Sequence, residues 1–241
     1  MNSDGSHRIK LTQANPNQPT FASGFHPVWS PDGKQIAFTR TMPPEVIGNS
    51  DVFVINADGT QERQITWSID SSEEVNSWSN DGKYLYVTYV DGSIVDSLGR
   101  PGNNSVQLGR INLPGDSLQT LTDPSNGGSG GIISRDDSLL TLGAFVPFTV
   151  RGGMAYQLQI MDLHSGIRRP IRENACRYEY AADWSPTNQQ ILFNTIDDAT
   201  IPYQNAPRQI LIINLDGTGL TNITPFDYKT SIHYATSWRR H

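Results

Sequence analysis

The feature that most constrains this chain is a pair of short motifs that alternate along its length. The segment INADGTQERQIT at residues 55–66 returns as INLPGDSLQTLT at 111–122, as MDLHSGIRRPIR at 161–172 and as INLDGTGLTNIT at 213–224, and it aligns without a gap on the opening residues MNSDGSHRIKLT. A second motif keeps step with it: HPVWSPDGKQIAF (26–38), NSWSNDGKYLYV (76–87), GIISRDDSLLTL (131–142) and ADWSPTNQQILF (182–193). Its reference positions are Trp29, Trp78, Ile133 and Trp184, with Trp238 of ATSW as a fifth, spaced by 49, 55, 51 and 54 residues. Self-similarity at this period implies stacked units that each bury their faces against neighbours.

One unit, residues 25–66, predicts four strands. The first runs over 26–30 and ends at Trp29; Ser30-Pro31-Asp32-Gly33 is a turn, because Pro presets φ, Asp bonds the backbone and Gly accepts positive φ. QIAFTR (35–40) and DVFVIN (51–56) are the second and third strands, Asp58-Gly59 signals a hairpin, and 61–66 is the fourth. The middle strands are apolar on both faces, as in VFVI, YLYVTYV (84–90) and ILIINL (210–215). A strand with one wet face alternates, so these sheets are covered on both sides. Four-stranded antiparallel sheets stacked face to face around an axis form an all-β propeller. The tryptophans then lie at inner-strand ends and pack between blades.

WSPDGKQIAF followed by DVFVINADGTQERQIT resembles the TolB-like, WD-type propeller repeat, over nearly the whole chain. The resemblance implies the fold and leaves several functions open. Repeats of this kind occur in periplasmic TolB proteins, in propellers of prolyl-oligopeptidase-type and tricorn-like peptidases, and in oligogalacturonate lyases. The third unit departs from the pattern: Ile133 replaces Trp, SRDD (134–137) replaces SPDG, and His164-Ser165-Gly166 replaces the Asp-Gly turn.

Four complete blades are expected at about 25–66, 75–122, 130–172 and 181–224 within a single domain, with a split fifth blade built from residues 1–12 and 232–238. The middle strands of that split blade have no counterpart in the sequence. The chain is therefore read as truncated at its N-terminus by roughly 25 to 30 residues if five blades close the ring. The resulting open blade edges offer a route to self-association.

A net charge of −6 with scattered basic residues argues against a nucleic-acid partner. No apolar run approaches the roughly 18 residues of a membrane-spanning helix, so membrane insertion is not expected. The opening residues read as strand and turn rather than as a leader. The single Cys176 excludes an intrachain disulfide. Resemblance to TolB implies a periplasmic or extracellular location for the full-length protein.

Loops joining second to third strands share one face with the loops between blades, and both sets are long; the opposite face carries tight turns. Long loops on a rigid scaffold commonly hold recognition sites, although they equally serve as solvated connections. Inner-strand starts on that face bring His26, Glu74, Arg177, Glu179, Asp183 and His233 toward the axis. The two histidines sit at different offsets from their tryptophans and form no HxH or HxxxH pair, so no metal site or other cofactor is expected. No G-x-S-x-G elbow is present and no catalytic residue is assigned. The leading expectation is a non-catalytic module that binds a protein or peptide through His26, Glu74, Arg177, Tyr178, Tyr180, Tyr203, Phe226, Tyr228 and His233. Tyr and Phe there supply contact area at low entropic cost, against a simpler role in packing beneath the loops. The alternatives are the substrate-gating propeller of a serine peptidase separated from its catalytic domain, and a metal-dependent sugar-acid lyase.

Overall fold

A computed structural model of the chain describes residues 6, 9–12, 24–42, 50–67, 71–94, 105–113, 115, 117–124, 127–148, 153–172, 178–196, 208–224 and 237–238. The described residues form four antiparallel four-stranded units and no α-helix. Blade 1 is β1 (Gly24–Trp29), β2 (Gln35–Thr41), β3 (Ser50–Asn56) and β4 (Arg63–Gln64). Blade 2 is β5 (Ser71–Trp78), β6 (Tyr84–Asp91), β7 (Val106–Asn112) and β8 (Leu118–Thr120). Blade 3 is β9 (Gly128–Ile133), β10 (Leu139–Phe148), β11 (Gly153–Asp162) and β12 (Arg168–Pro170). Blade 4 is β13 (Tyr178–Trp184), β14 (Gln190–Ile196), β15 (Gln209–Asn214) and β16 (Thr221–Asn222). Each blade is a meander in chain order, and one parallel pairing, Tyr156 with Tyr178, links blade 3 to blade 4. The inner strands pack in succession, β1 on β5, β5 on β9 and β9 on β13. The fold is a β-propeller. The segments assigned to the split fifth blade lie largely outside the described residues.

The double-sided apolar strands have the expected cause. On β2 and β3, Ala37, Val52 and Val54 point toward blade 2, where they meet Val75, Trp78, Leu85, Val87 and Ile111. The alternate residues Ile36, Phe38, Phe53 and Ile55 form a separate cluster on the other face. Tyr86 and Leu108 of blade 2 pack on Ile133, Leu140, Leu142 and Met161 of blade 3, and Leu158 and Ile160 of blade 3 pack on Trp184, Ile191 and Phe193 of blade 4. Each fully buried side chain of this size contributes roughly 1.5–3 kcal/mol. These inter-blade layers therefore dominate the stability.

The second motif is a turn held by its serine. Ser30, Ser79 and Ser134 each donate to the carboxylate two residues on, at 2.7 Å in all three cases. The same hydroxyls, and that of Ser185, accept the backbone N–H five residues on at 2.9–3.0 Å. The fourth turn position has positive φ throughout: Gly33 (69°), Gly82 (72°), Asp137 (58°) and Asn188 (58°). Asp and Asn tolerate the left-handed region better than other residues with a Cβ.

Trp78 and Trp184 clip each blade to its predecessor. Their indole N–H groups donate to the carbonyls of Val28 (3.0 Å) and Ile132 (2.9 Å), each one residue before the reference position of the preceding blade. Ile133, at the aligned position of blade 3, has no indole N–H to give. There, Ser77 Oγ donates to the Gly131 carbonyl at 2.9 Å and accepts Ile133 N–H at 3.3 Å.

The outer strands are shorter than the expected span of 61–66. Only Arg63 and Gln64 pair with β3. The ladder then ends in a side-chain bond, because Thr66 Oγ1 accepts the Val52 N–H at 3.0 Å. Thr122 does the same for Leu108 (2.9 Å) and Thr224 for Ile210 (2.8 Å).

Candidate functional site

The inner strands run from the long-loop face toward the tight turns, so their first residues lie on the long-loop face. Each inner strand carries a register shift just before its reference residue, and in β1 this shift falls between Phe25 and Val28. His26 occupies that bulge with φ of 50° and precedes Pro27, which has no N–H for the ladder. The bulge turns His26 toward blade 2, where its Nδ1 meets Glu74 Oε1 at 2.7 Å. Both side chains stay substantially exposed, and the Phe25 ring stands edge-on to the imidazole at 5.1 Å. The hydrogen bond to Glu74 raises the His26 pKa above its ordinary value; partial burial opposes this and the Glu74 charge adds to it.

Tyr178 and Tyr180 are two residues apart on β13 and therefore share one face. Their rings are nearly parallel, 6.2 Å apart at 3°. Tyr156 of β11 lies against both, at 5.6 and 5.4 Å, and Phe145 of β10 lies 4.4 Å from Tyr156. This half-buried aromatic cluster sits where blade 3 meets blade 4, at the long-loop ends of the strands. Phe145 and Tyr156 are cross-strand partners in the β10–β11 register. Sequence reasoning missed them because it read residues 147–155 as a long loop, whereas β10 continues to Phe148 and β11 begins at Gly153, which puts Tyr156 inside a strand.

The remaining candidates divide. Arg177, Tyr203, Phe226, Tyr228 and His233 lie outside the described residues, as does Cys176. Glu179 faces into the blades rather than toward the axis and is fully buried. Its Oε2 accepts the Leu158 N–H at 2.9 Å, and its Oε1 accepts Arg172 Nε at 2.7 Å. Asp183 lies toward the tight-turn end, where its Oδ1 receives Arg135 Nη2 at 2.6 Å. His26, Glu74, Glu179 and Asp183 thus serve three separate contacts and do not form one ring. Among the described residues no group of three or more His, Cys, Asp or Glu side chains converges in a way that could hold a metal ion.

Sequence reasoning also missed the residues that replace the turn proline. The backbone N–H and side-chain amide of Asn80 bond Asp137 of the next blade, and its side chain also reaches the Ser134 carbonyl at 2.8 Å. Arg135 N–H bonds Asn188 at 2.7 Å, and its guanidinium reaches the Trp184 carbonyl at 3.0 Å. The departure from SPDG was itself the available signal.

No protein-family model matches the chain, and no curated protein matches it. Solved structures do. TolB from Acinetobacter baumannii is 22% identical with a TM-score of 0.58, over 84% of this chain and 43% of that one. A putative TolB from Agrobacterium tumefaciens is 17% identical with a TM-score of 0.64, over 85% of this chain and 67% of that one. The β-propeller domain of the Trilobed protease from Pyrococcus furiosus, described as having an open velcro topology, is 16% identical with a TM-score of 0.51, over 83% of this chain and 56% of that one. The chain spans less than half the length of the first of these. At these identities the likeness concerns the fold, and the fold of this chain is that of the TolB-like β-propellers.

Proposed function

We propose that the chain is a non-catalytic interaction module that docks a protein or peptide partner on its long-loop face. The observation that supports this most is the cluster of Tyr156, Tyr178, Tyr180 and Phe145, half-buried at the junction of blades 3 and 4. Such rings offer large, rigid contact area with few torsions to freeze. On this reading Tyr178 and Tyr180 are the anchors. Arg177, Tyr203, Phe226, Tyr228 and His233 extend the surface, and the His26–Glu74 pair marks its edge nearer blade 1. The likeness to TolB structures favours a periplasmic or extracellular setting for the full-length protein. The likeness to a protease propeller supports a second reading, a gating propeller beside a serine-peptidase domain. A hydrolase domain encoded downstream in the reading frame would favour that second reading.

The test is substitution of Tyr178 and Tyr203 by Ala, with recovery of cross-linked partners from the extracellular or periplasmic fraction. Recovery of a defined partner should fall at least tenfold in the variants. Unchanged recovery removes these tyrosines from the surface.

A further inference from the structure

The inner strands end around a cavity of about 500 Å³ on the axis at the tight-turn face. All four blades and the C-terminal Ser237–Trp238 pair line it, with Trp29, Asn76, Ile133, Arg135, Asp183 and Trp238 prominent. Volumes of this order are typical of sites for small ligands. One charged group is placed there by a change in the repeat: Arg135 stands where blades 1 and 4 have Pro31 and Pro186.

The guanidinium of Arg135 is held on one side only. Nη2 donates to Asp183 Oδ1 and to the Trp184 carbonyl, whereas Nε and Nη1 make no hydrogen bond among the described residues. Asp183 is also occupied elsewhere: its Oδ1 accepts the Trp184 N–H at 2.8 Å and its Oδ2 accepts the Trp238 N–H at 2.9 Å. The carboxylate therefore fixes Arg135 in place while sharing its own charge with two backbone donors. Another donor lines the same cavity: the Trp238 indole Nε1 is buried and has no acceptor among the described residues.

We propose that this axial cavity captures the C-terminal carboxylate of a peptide or protein chain, with Arg135 as the anchor. Nη1, whose two N–H groups make no bond among the described residues, is free to donate charge-assisted hydrogen bonds to a carboxylate. The adjacent Asp183 disfavours a dianion such as phosphate more than a single carboxylate, because like charges repel at close range. The apolar wall of Val28, Trp29, Pro31 and Ile133 suits a terminal apolar side chain beside the bound carboxylate. This site lies on the face opposite the tyrosine cluster and stands apart from the proposed docking surface.

The test uses two probes, N-acetyl-Ala-Ala-Leu with a free carboxylate and the same tripeptide as its C-terminal amide, titrated calorimetrically into the whole chain. The free acid should bind saturably and at least tenfold more tightly than the amide. Arg135→Gln should erase that tenfold difference, and Tyr178→Ala should leave it intact. The acid–amide comparison within the unaltered protein does not depend on how well any variant folds. Equal binding of acid and amide, no binding at millimolar concentration, or loss of the difference in Tyr178→Ala overturns the proposal.

Discussion

Asp137 receives the backbone N–H of Asn80 across the boundary between blades 2 and 3, at 2.9 and 3.1 Å to its two carboxylate oxygens. The contact follows a rule that spans the repeats. Where a turn has an N–H at its second position, as at Asn80 and Arg135, the next blade places a side-chain acceptor at its fourth, Asp137 or Asn188. Where that second position is Pro31, which has no N–H, the next blade has Gly82. Asp and Asn accept the strained φ at these positions because their side chains reach back to the preceding blade.

Asp137→Gly should therefore destabilise the protein by about 1–2 kcal/mol, the cost of an unanswered N–H less the relief of positive φ. In an Asn80→Pro background the same change should cost almost nothing, since the donor is gone. Urea denaturation of the two single variants and the double variant would give a coupling of about 1 kcal/mol. Strict additivity would refute the rule.

Arg172 and Glu179 replace a threonine. At the position of Thr66, Thr122 and Thr224, blade 3 has Arg172, and the Leu158 N–H is taken by Glu179 Oε2 instead. Arg172→Thr takes away the guanidinium that Arg172 brings to this buried carboxylate and should cost about 3–5 kcal/mol. Adding Glu179→Gly, the residue type at the aligned positions Gly24 and Gly128, removes that charge and lets the new Thr serve Leu158. Most of the lost stability should return in the double variant, as read by thermal unfolding. A double variant no more stable than Arg172→Thr alone would show that the pair does more than replace a hydroxyl.

The propeller was legible because each signal came in four copies. The SPDG-type turns and the double-faced strands such as VFVI recur in blade after blade as expected, and Trp78 and Trp184 pack between blades, whereas Trp29 is largely exposed. The substitutions Ile133, Arg135 and Asp137 read as departures of the third unit and Arg172 was passed over, because a sequence shows that Thr or Trp is missing but not which distant side chain has taken over its bond. Ser77 and Glu179 take over those bonds, from 54 to 56 and 21 residues away respectively. The candidate site was less legible for the opposite reason. Tyr203, read from the sequence as a loop residue, carries no periodicity, so only its membership of a face could be inferred. Tyr178 and Tyr180 were accessible to reasoning because β13 fixes their common direction.

The tryptophans at aligned positions should behave very differently. Trp184 is fully buried and donates to Ile132, whereas Trp29 is 59% exposed beside the axial cavity. Trp184→Phe removes a hydrogen bond and leaves a void, and should cost about 2–4 kcal/mol. Trp29→Phe should change stability by no more than about 0.5 kcal/mol. Chemical denaturation separates the two, and similar losses would mean that Trp29 is covered in solution.

The His26–Glu74 contact makes a pH-dependent tie between blades 1 and 2. Its folded-state pKa lies above the ordinary value of 6.5, chiefly through the hydrogen bond to Glu74. A group raised on folding contributes fully below its unfolded pKa and loses that contribution as pH rises through the folded value. The tie is therefore complete below about pH 6.5 and fades above it. Both side chains are largely exposed, so salt screens the pair and the stability at stake is small. NMR titration of the His26 ring protons is the sensitive measure. Glu74→Gln should move the His26 midpoint down toward the ordinary value, and 0.5 M salt should move it the same way in the unaltered protein. A midpoint that ignores both changes would show that Glu74 does not hold His26 in solution.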